Sequence, residues 1–192
     1  MGEGEAENPG DADKPTTRML SWSKNSAAYR LARRMMSERE LAGAIKRKAK
    51  SKFDGITEAQ LLGLAEYAVS FGRSMMALDD ENYAQVRAAS AGRSGKSTRA
   101  VARKLAEKGI DRDIIETAVG EIDDLHSAVV YARKKAFGPF RRKSSDEQQE
   151  RRELASFGRQ GFSFDIGRRL TRMTLEEAQE ILSAPSTVTD QA

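Results

Sequence analysis

Helix-opening signals recur along this chain, and they constrain its fold more than any other feature. Ser37-x-x-Glu40, Thr57-x-x-Gln60 and Thr174-x-x-Glu177 each place a hydroxyl residue three positions before a Glu or Gln. In such a capping box the hydroxyl accepts from the amide three residues on, and the long polar side chain accepts from the hydroxyl residue's own amide. Apolar residues follow at three- and four-residue spacing: Leu41, Ala44, Ile45 and Ala49 after the first box, and Leu61, Leu62, Leu64, Ala65, Ala68 and Val69 after the second. That period predicts helices with one buried stripe. β-Branched residues are sparse and no alternating run stands out, so no strand is predicted.

The pattern begins with a predicted cap at Ser26 and an apolar stripe of Tyr29, Leu31, Ala32, Met35 and Met36. After the first two boxes it restarts. Leu78-Asp79-Asp80-Glu81 puts an Asp at an N-cap and acids in the first turn, where the helix dipole favours them. Tyr83, Val86 and Ala89 are the predicted inner face. Ser97 caps a helix carrying Ala100, Val101, Ala102 and Leu105, which Lys108-Gly109 ends, with Gly suited to the position after the helix. Asp111 opens a helix with Ile114, Ile115, Ala118 and Val119. A third restart near Asp123 carries Val129, Val130, Ala132 and Ala136 up to Gly138-Pro139. The polar stretch from Lys143 to Glu150 reads as a loop or frayed helix end. Leu154, Ala155 and Phe157 follow, and Ser163 and Thr174 open the last helices.

Two of these units share register. Ser37, Leu41, Ile45 and Lys48 correspond, sixty positions on, to Ser97, Val101, Leu105 and Lys108. A three-helix unit is too small to bury its own apolar face, so neighbouring units complete the core. The expected fold is all-α, an elongated and curved solenoid of three tandem three-helix repeats. Its expected parts are a disordered acidic tail at 1–25, repeats at 26–76, 77–122 and 123–183, and a C-terminal tail at 184–192.

Composition removes several kinds of chemistry. There is no Cys and only one His, His126, so disulfides, thiolate zinc sites and most histidine-based triads are excluded. No cofactor is expected. The net charge of +4 is unevenly spread: Glu3, Glu5, Glu7, Asp11 and Asp13 against Lys14 make residues 1–17 −4 and leave the remainder at +8. A basic body suits an anionic partner. The acidic N-terminus lacks the apolar segment of a signal peptide, and no apolar run approaches membrane-spanning length. A cytoplasmic protein, monomeric and without a membrane partner, is expected.

One stretch, SAGRSGKST at 90–98, imitates a nucleotide-binding loop through Gly95, Lys96 and Ser97. A true loop of that kind starts with Gly and joins a buried strand to a helix. Here Ser90 holds the first position and an amphipathic helix pattern precedes it, so a joint between two helices is expected, with Ser97 as the cap.

Basic residues gather in three places. Residues 30–52 carry Arg30, Arg33, Arg34, Arg39, Lys46, Arg47, Lys48, Lys50 and Lys52 against Glu38 and Glu40. Lys96, Arg99, Arg103, Lys104 and Lys108 form a second group, with Arg99 and Arg103 one helical turn apart. Arg133, Lys134, Lys135, Arg141, Arg142 and Lys143 form a third, without an acid. Any one of these groups reads as a solvated face. Three together suit contact with phosphate backbone or an acidic protein groove. Phe137 and Phe140 read as packing residues, and base-specific readout is not indicated.

Three stretches resemble the RecX family of recombinase regulators: Leu78-Asp79-Asp80-Glu81-Asn82-Tyr83-Ala84, Lys104-Leu105-Ala106-Glu107-Lys108-Gly109-Ile110, and Arg159-Gln160-Gly161-Phe162-Ser163-Phe164-Asp165-Ile166-Gly167-Arg168-Arg169-Leu170. Ser37-x-x-Glu40-Leu41 is similar as well, and the resemblance spans about 27–183. It implies binding to the RecA recombinase, typically its filament on single-stranded DNA, and inhibition of strand exchange and ATP hydrolysis. It also implies a solenoid lying in the filament groove, with direct DNA contact in some members and no catalytic residues. The expected contacts are Arg33, Arg34, Lys96, Arg99, Arg103, Lys104, Lys108, Arg133, Lys134, Lys135, Arg141, Arg142, Arg168 and Arg169. The segments Ala49–Gly55 and Ser144–Glu150 depart from the family pattern.

Overall fold

A computed structural model describes residues 13–144 and 146–184. The acidic residues of the expected tail up to Asp11, and the C-terminal residues from Pro185, lie outside the described residues. All regular structure among the described residues is helical: α1 (Thr17–Leu31), α2 (Glu38–Lys50), α3 (Glu58–Ser74), α4 (Asp80–Arg93), α5 (Thr98–Glu107), α6 (Arg112–Gly120), α7 (Asp124–Lys135), α8 (Glu147–Arg159), α9 (Phe164–Arg172) and α10 (Leu175–Ser183), with a 3-10 turn at Gly138–Phe140 before α8. The chain divides after Tyr83 into two compact units, with the division inside α4.

In the first unit α1, α2 and α3 pack around Ala27, Met36, Leu41, Ala44, Ile45, Ala49, Leu61, Leu64, Ala68 and Leu78. The predicted capping boxes form at Ser37 and Thr57. Gly72 is held without a side chain for a reason: a Cβ there would come within 2.5 Å of Leu78 Cδ1.

The start of α1 corrects the expected extent of the tail. The helix opens at Thr17 with Thr16 as its cap, so residues 17–25 are helical and Ser26 is internal. Met19, Leu20 and Trp22 pack against the core, and the Trp22 ring meets Phe53 edge-on at 5.2 Å. The periodicity is disguised because the most buried positions of α1 are Ser23 and Ala27. Ser23 is tolerated there because its hydroxyl donates to the Leu64 carbonyl at 2.8 Å, which removes the cost of burying it. The helix ends at Leu31, so Met35 is not on it, and Tyr29 is 60% exposed.

In the second unit Ala128, Val129, Tyr131, Ala132, Phe157, Phe162, Leu170, Met173 and Ala178 form the core of α7 to α10. The rings of Tyr131, Phe137, Phe157 and Phe162 lie 5.6–6.2 Å apart, mostly edge to face. Helix α10 packs on α7 and on the 3-10 turn, so a fourth helix follows the three of the last repeat.

Two local expectations change here. Helix α8 starts at Glu147, inside the stretch read as a loop, with Asp146 accepting from the Gln149 amide at 2.7 Å and Glu147 paired one turn on with Arg151. On α4 the buried positions are Tyr83, Ala84, Ala88 and Gly92, while Val86 is exposed. Small residues face inward there, and a hydrophobicity count sees them poorly.

Candidate partner-binding surface

The joint between α4 and α5 is closed to a nucleotide. Gly95 has φ +81°, and a Cβ on it would lie 2.9 Å from the Tyr131 amide nitrogen and 3.1 Å from the Ser127 carbonyl oxygen. Helix α7 therefore packs directly against Gly95, and the Gly95 and Lys96 amides donate to the Gly92 and Ala91 carbonyls at 2.9 and 3.0 Å. Lys134 Nζ donates to the Ser94 carbonyl at 2.8 Å, a second tie between the joint and α7. Ser97 Oγ accepts from the Ala100 amide at 3.1 Å, as its sequence position as a cap implies, and donates to the Gln160 carbonyl at 2.6 Å. The Thr98 amide and hydroxyl both donate to Asp124 Oδ1, at 2.6 and 2.8 Å. The groups that would cradle a phosphate are thus spent inside the protein. Lys96 remains exposed.

The Asp124 contact has a counterpart in the first unit. There the Glu38 amide, the first of α2, donates to Asp80 Oδ1 at 3.0 Å. In both places the aspartate is the first residue of the next repeat's opening helix, and the amide it accepts from opens the middle helix of the repeat before. The residue preceding it caps its own helix: Asp79 accepts from the Asn82 amide at 2.9 Å, and Asp123 from the amides of Leu125 and His126 at 2.8 and 3.1 Å. Each doubled aspartate serves two helix N-termini, where orphan amides and the dipole both favour a carboxylate. The first Asp of each pair is predictable as a cap. The doubling itself is the sequence signal for the second.

The structure sorts the fourteen expected contacts. On α5 the side chains of Arg99, Arg103 and Lys104 are exposed, as is that of Lys108 at its C-terminal cap. Arg99 and Arg103 line a cavity of about 200 Å³ together with Ala100, Gly158, Arg159, Gln160 and Gly161. Arg159, from the end of α8, is not among the expected contacts, yet it faces the same space. Gly161 permits this approach: its φ is +91°, and a Cβ on it would lie 2.7 Å from Ser97 Oγ.

At the end of α7, Arg133 and Lys135 are exposed, and Lys134 is engaged with Ser94. Arg142 is exposed. Arg141 is not available. Its guanidinium donates to both oxygens of Glu153 at 2.8 and 2.7 Å, with side-chain exposures of 14% and 2%. Glu153 also accepts from the Gly138 amide at 3.0 Å. Burial works against the Glu153 carboxylate, but the hydrogen bonds from Arg141 and Gly138 outweigh it and hold the group below its ordinary value. The same bond raises Arg141. This pair holds the 3-10 turn to α8 and serves the fold.

On α9, Arg168 and Arg169 are exposed, as are Arg172 and Phe164, while Gly167 and Leu170 face inward. Near the first repeat's joint, Arg34 lies 3.5 Å from Glu40, and the Arg33 guanidinium sits 4.3 Å above the Tyr29 ring. Among the described residues no group of His, Asp and Glu could hold a metal ion, and no helix is long and apolar enough to cross a membrane.

Comparison with known proteins places this arrangement. Residues 79–119 match the family described as RecX, second three-helix domain. The chain is 50% identical over 179 residues to the Regulatory protein RecX of Agrobacterium fabrum, covering 93% of this chain and 97% of that one. It is 32% identical over 157 residues to the Regulatory protein RecX of Myxococcus xanthus, covering 78% and 84%. The crystal structure of RecX from Lactobacillus salivarius shares the fold, with a TM-score of 0.62 at 21% identity, over 86% of this chain and 99% of that one.

Proposed function

The chain belongs to the RecX family, and on that premise we propose that it regulates the RecA recombinase. It binds RecA on single-stranded DNA, lowers strand exchange and ATP hydrolysis, and does no chemistry of its own. The near-full-length likeness to the Agrobacterium relative carries this reading. The exposed basic residues of α5, α7 and α9 supply a surface for it, since a RecA filament on DNA offers both acidic side chains and phosphates. Arg141 leaves the expected contact set because Glu153 already holds it. The repeat boundaries at 26–76, 77–122 and 123–183 are part of the same reading, amended so that the first repeat starts with α1 at Thr17.

The decisive assay is RecA-dependent ATP hydrolysis on single-stranded DNA with increasing amounts of the chain. A progressive fall supports the proposal, and an unchanged rate over a wide concentration range contradicts it. A second reading, a DNA-binding protein acting without RecA, draws on the arginines around the α5 cavity. It predicts that any effect on RecA disappears once DNA binding is removed.

A further inference from the structure

We propose that the cavity between α5 and the end of α8 is a built niche for one phosphodiester of a nucleic-acid backbone, held by Arg99, Arg103 and Arg159. The proposal deepens the reading of this basic surface and rests on its being turned toward DNA. Arg99 and Arg103 stand one turn apart on α5, and Arg159 reaches the same space from the last turn of α8. No acidic side chain lines the cavity, and none of the three arginines has an ion pair among the described residues. Three unopposed guanidiniums around one opening repel one another, and an anion seated among them relieves that repulsion.

Several features favour phosphate over an acidic protein surface. The lining is Arg, Ala, Gly and Gln, with no aromatic or large aliphatic side chain of the kind that anchors protein interfaces. Guanidinium forks from separate elements can address different oxygens of a tetrahedral group. The approach is also held in place. Ser97 Oγ bonds the Gln160 carbonyl, and Gly161, whose missing Cβ would lie 2.7 Å from Ser97 Oγ, lets the start of α5 close on the end of α8. With no base-stacking group in the lining, recognition is of backbone and not of sequence.

The test is fluorescence anisotropy of a labelled thymidine homopolymer with the full chain, titrated over salt, for wild type, the R99A/R103A/R159A variant, the same three positions as Lys, and an R151A/R152A control on the exposed part of α8. Thermal melting checks that each variant is folded. The triple Ala variant is expected to lose about tenfold in affinity, with the salt slope falling by about 0.7, the value for release of a single phosphate contact. The control is expected to change affinity less than about twofold, and Lys to recover only part of the loss because its point charge lacks the fork.

A slope change near 2 means three separate contacts, and it overturns the niche. So does an equal loss in the control, or full recovery by Lys. DNA binding left intact while the effect on RecA is lost marks a protein contact and overturns it too. If instead wild type binds DNA as described but leaves RecA's ATP hydrolysis unchanged, the niche stands and the regulator reading fails.

Discussion

The Asp124 carboxylate accepts from both the amide and the hydroxyl of Thr98, at 2.6 and 2.8 Å, and so fixes the start of α5 to the start of α7. Asp80 does the same for the Glu38 amide at the start of α2. Asp124→Ala leaves an amide at a helix N-terminus without its acceptor and is expected to cost about 1–2 kcal/mol. Thr98→Ala removes only the hydroxyl bond and should cost about half as much. Urea unfolding of the two variants checks the order, and equal costs would show that the amide bond contributes nothing.

Glu153 and Arg141 should behave as a pair. Removing either partner alone leaves a buried charge uncompensated and is expected to cost about 3 kcal/mol. A double variant with both replaced by apolar residues should lose less than the two single losses combined. The pH dependence follows from the direction of the shift. The folded-state value of Glu153 lies below its unfolded value, so its contribution is full above the ordinary carboxylate range and is lost as pH falls through the folded value. The stability gap between wild type and Glu153→Gln should therefore be flat from about pH 6 to 8 and narrow below about pH 4.

Gly161 and Gly120 make opposite predictions. Gly161 has φ +91° and no room toward Ser97 Oγ, so Gly161→Ala is expected to cost about 1–3 kcal/mol. Gly120, in the last turn of α6, has nothing within 4 Å of where a Cβ would stand, and Gly120→Ala should be neutral or stabilising. Thermal melting of both separates a required glycine from a permitted one.

Lys96 lies in a loop whose amide and hydroxyl donors are already used inside the protein. Millimolar ATP with Mg²⁺ is expected to leave the melting temperature unchanged, and Lys96→Ala to leave thermal stability as it was. A melting temperature that rises with ATP in wild type but not in Lys96→Ala would mean that this loop does hold nucleotide.

How far the sequence carried the fold depended on whether a signal was local. Capping boxes at Ser37, Thr57 and Thr174, and the caps at Ser97 and Ser163, form as expected because each needs only three or four consecutive residues. The start of α1 does not, because its buried face is built from Ser23 and Ala27, and the fitness of Ser23 for burial depends on the distant Leu64 carbonyl. For the same reason the exposed arginines were legible as a basic class, but their allotment was not. Nothing near Arg141 in sequence announces that Glu153 takes it, and only the folded chain brings Arg159 beside Arg99 and Arg103. Charge type is a property of composition, whereas availability is a property of packing.

The proposed restraint of RecA has one sharp test: RecA's ATP hydrolysis on single-stranded DNA as the purified chain is titrated in. The rate should fall with concentration, and Arg141→Ala, once shown to be folded, should preserve that fall. A rate unmoved by the wild-type chain at every concentration would contradict the regulator reading.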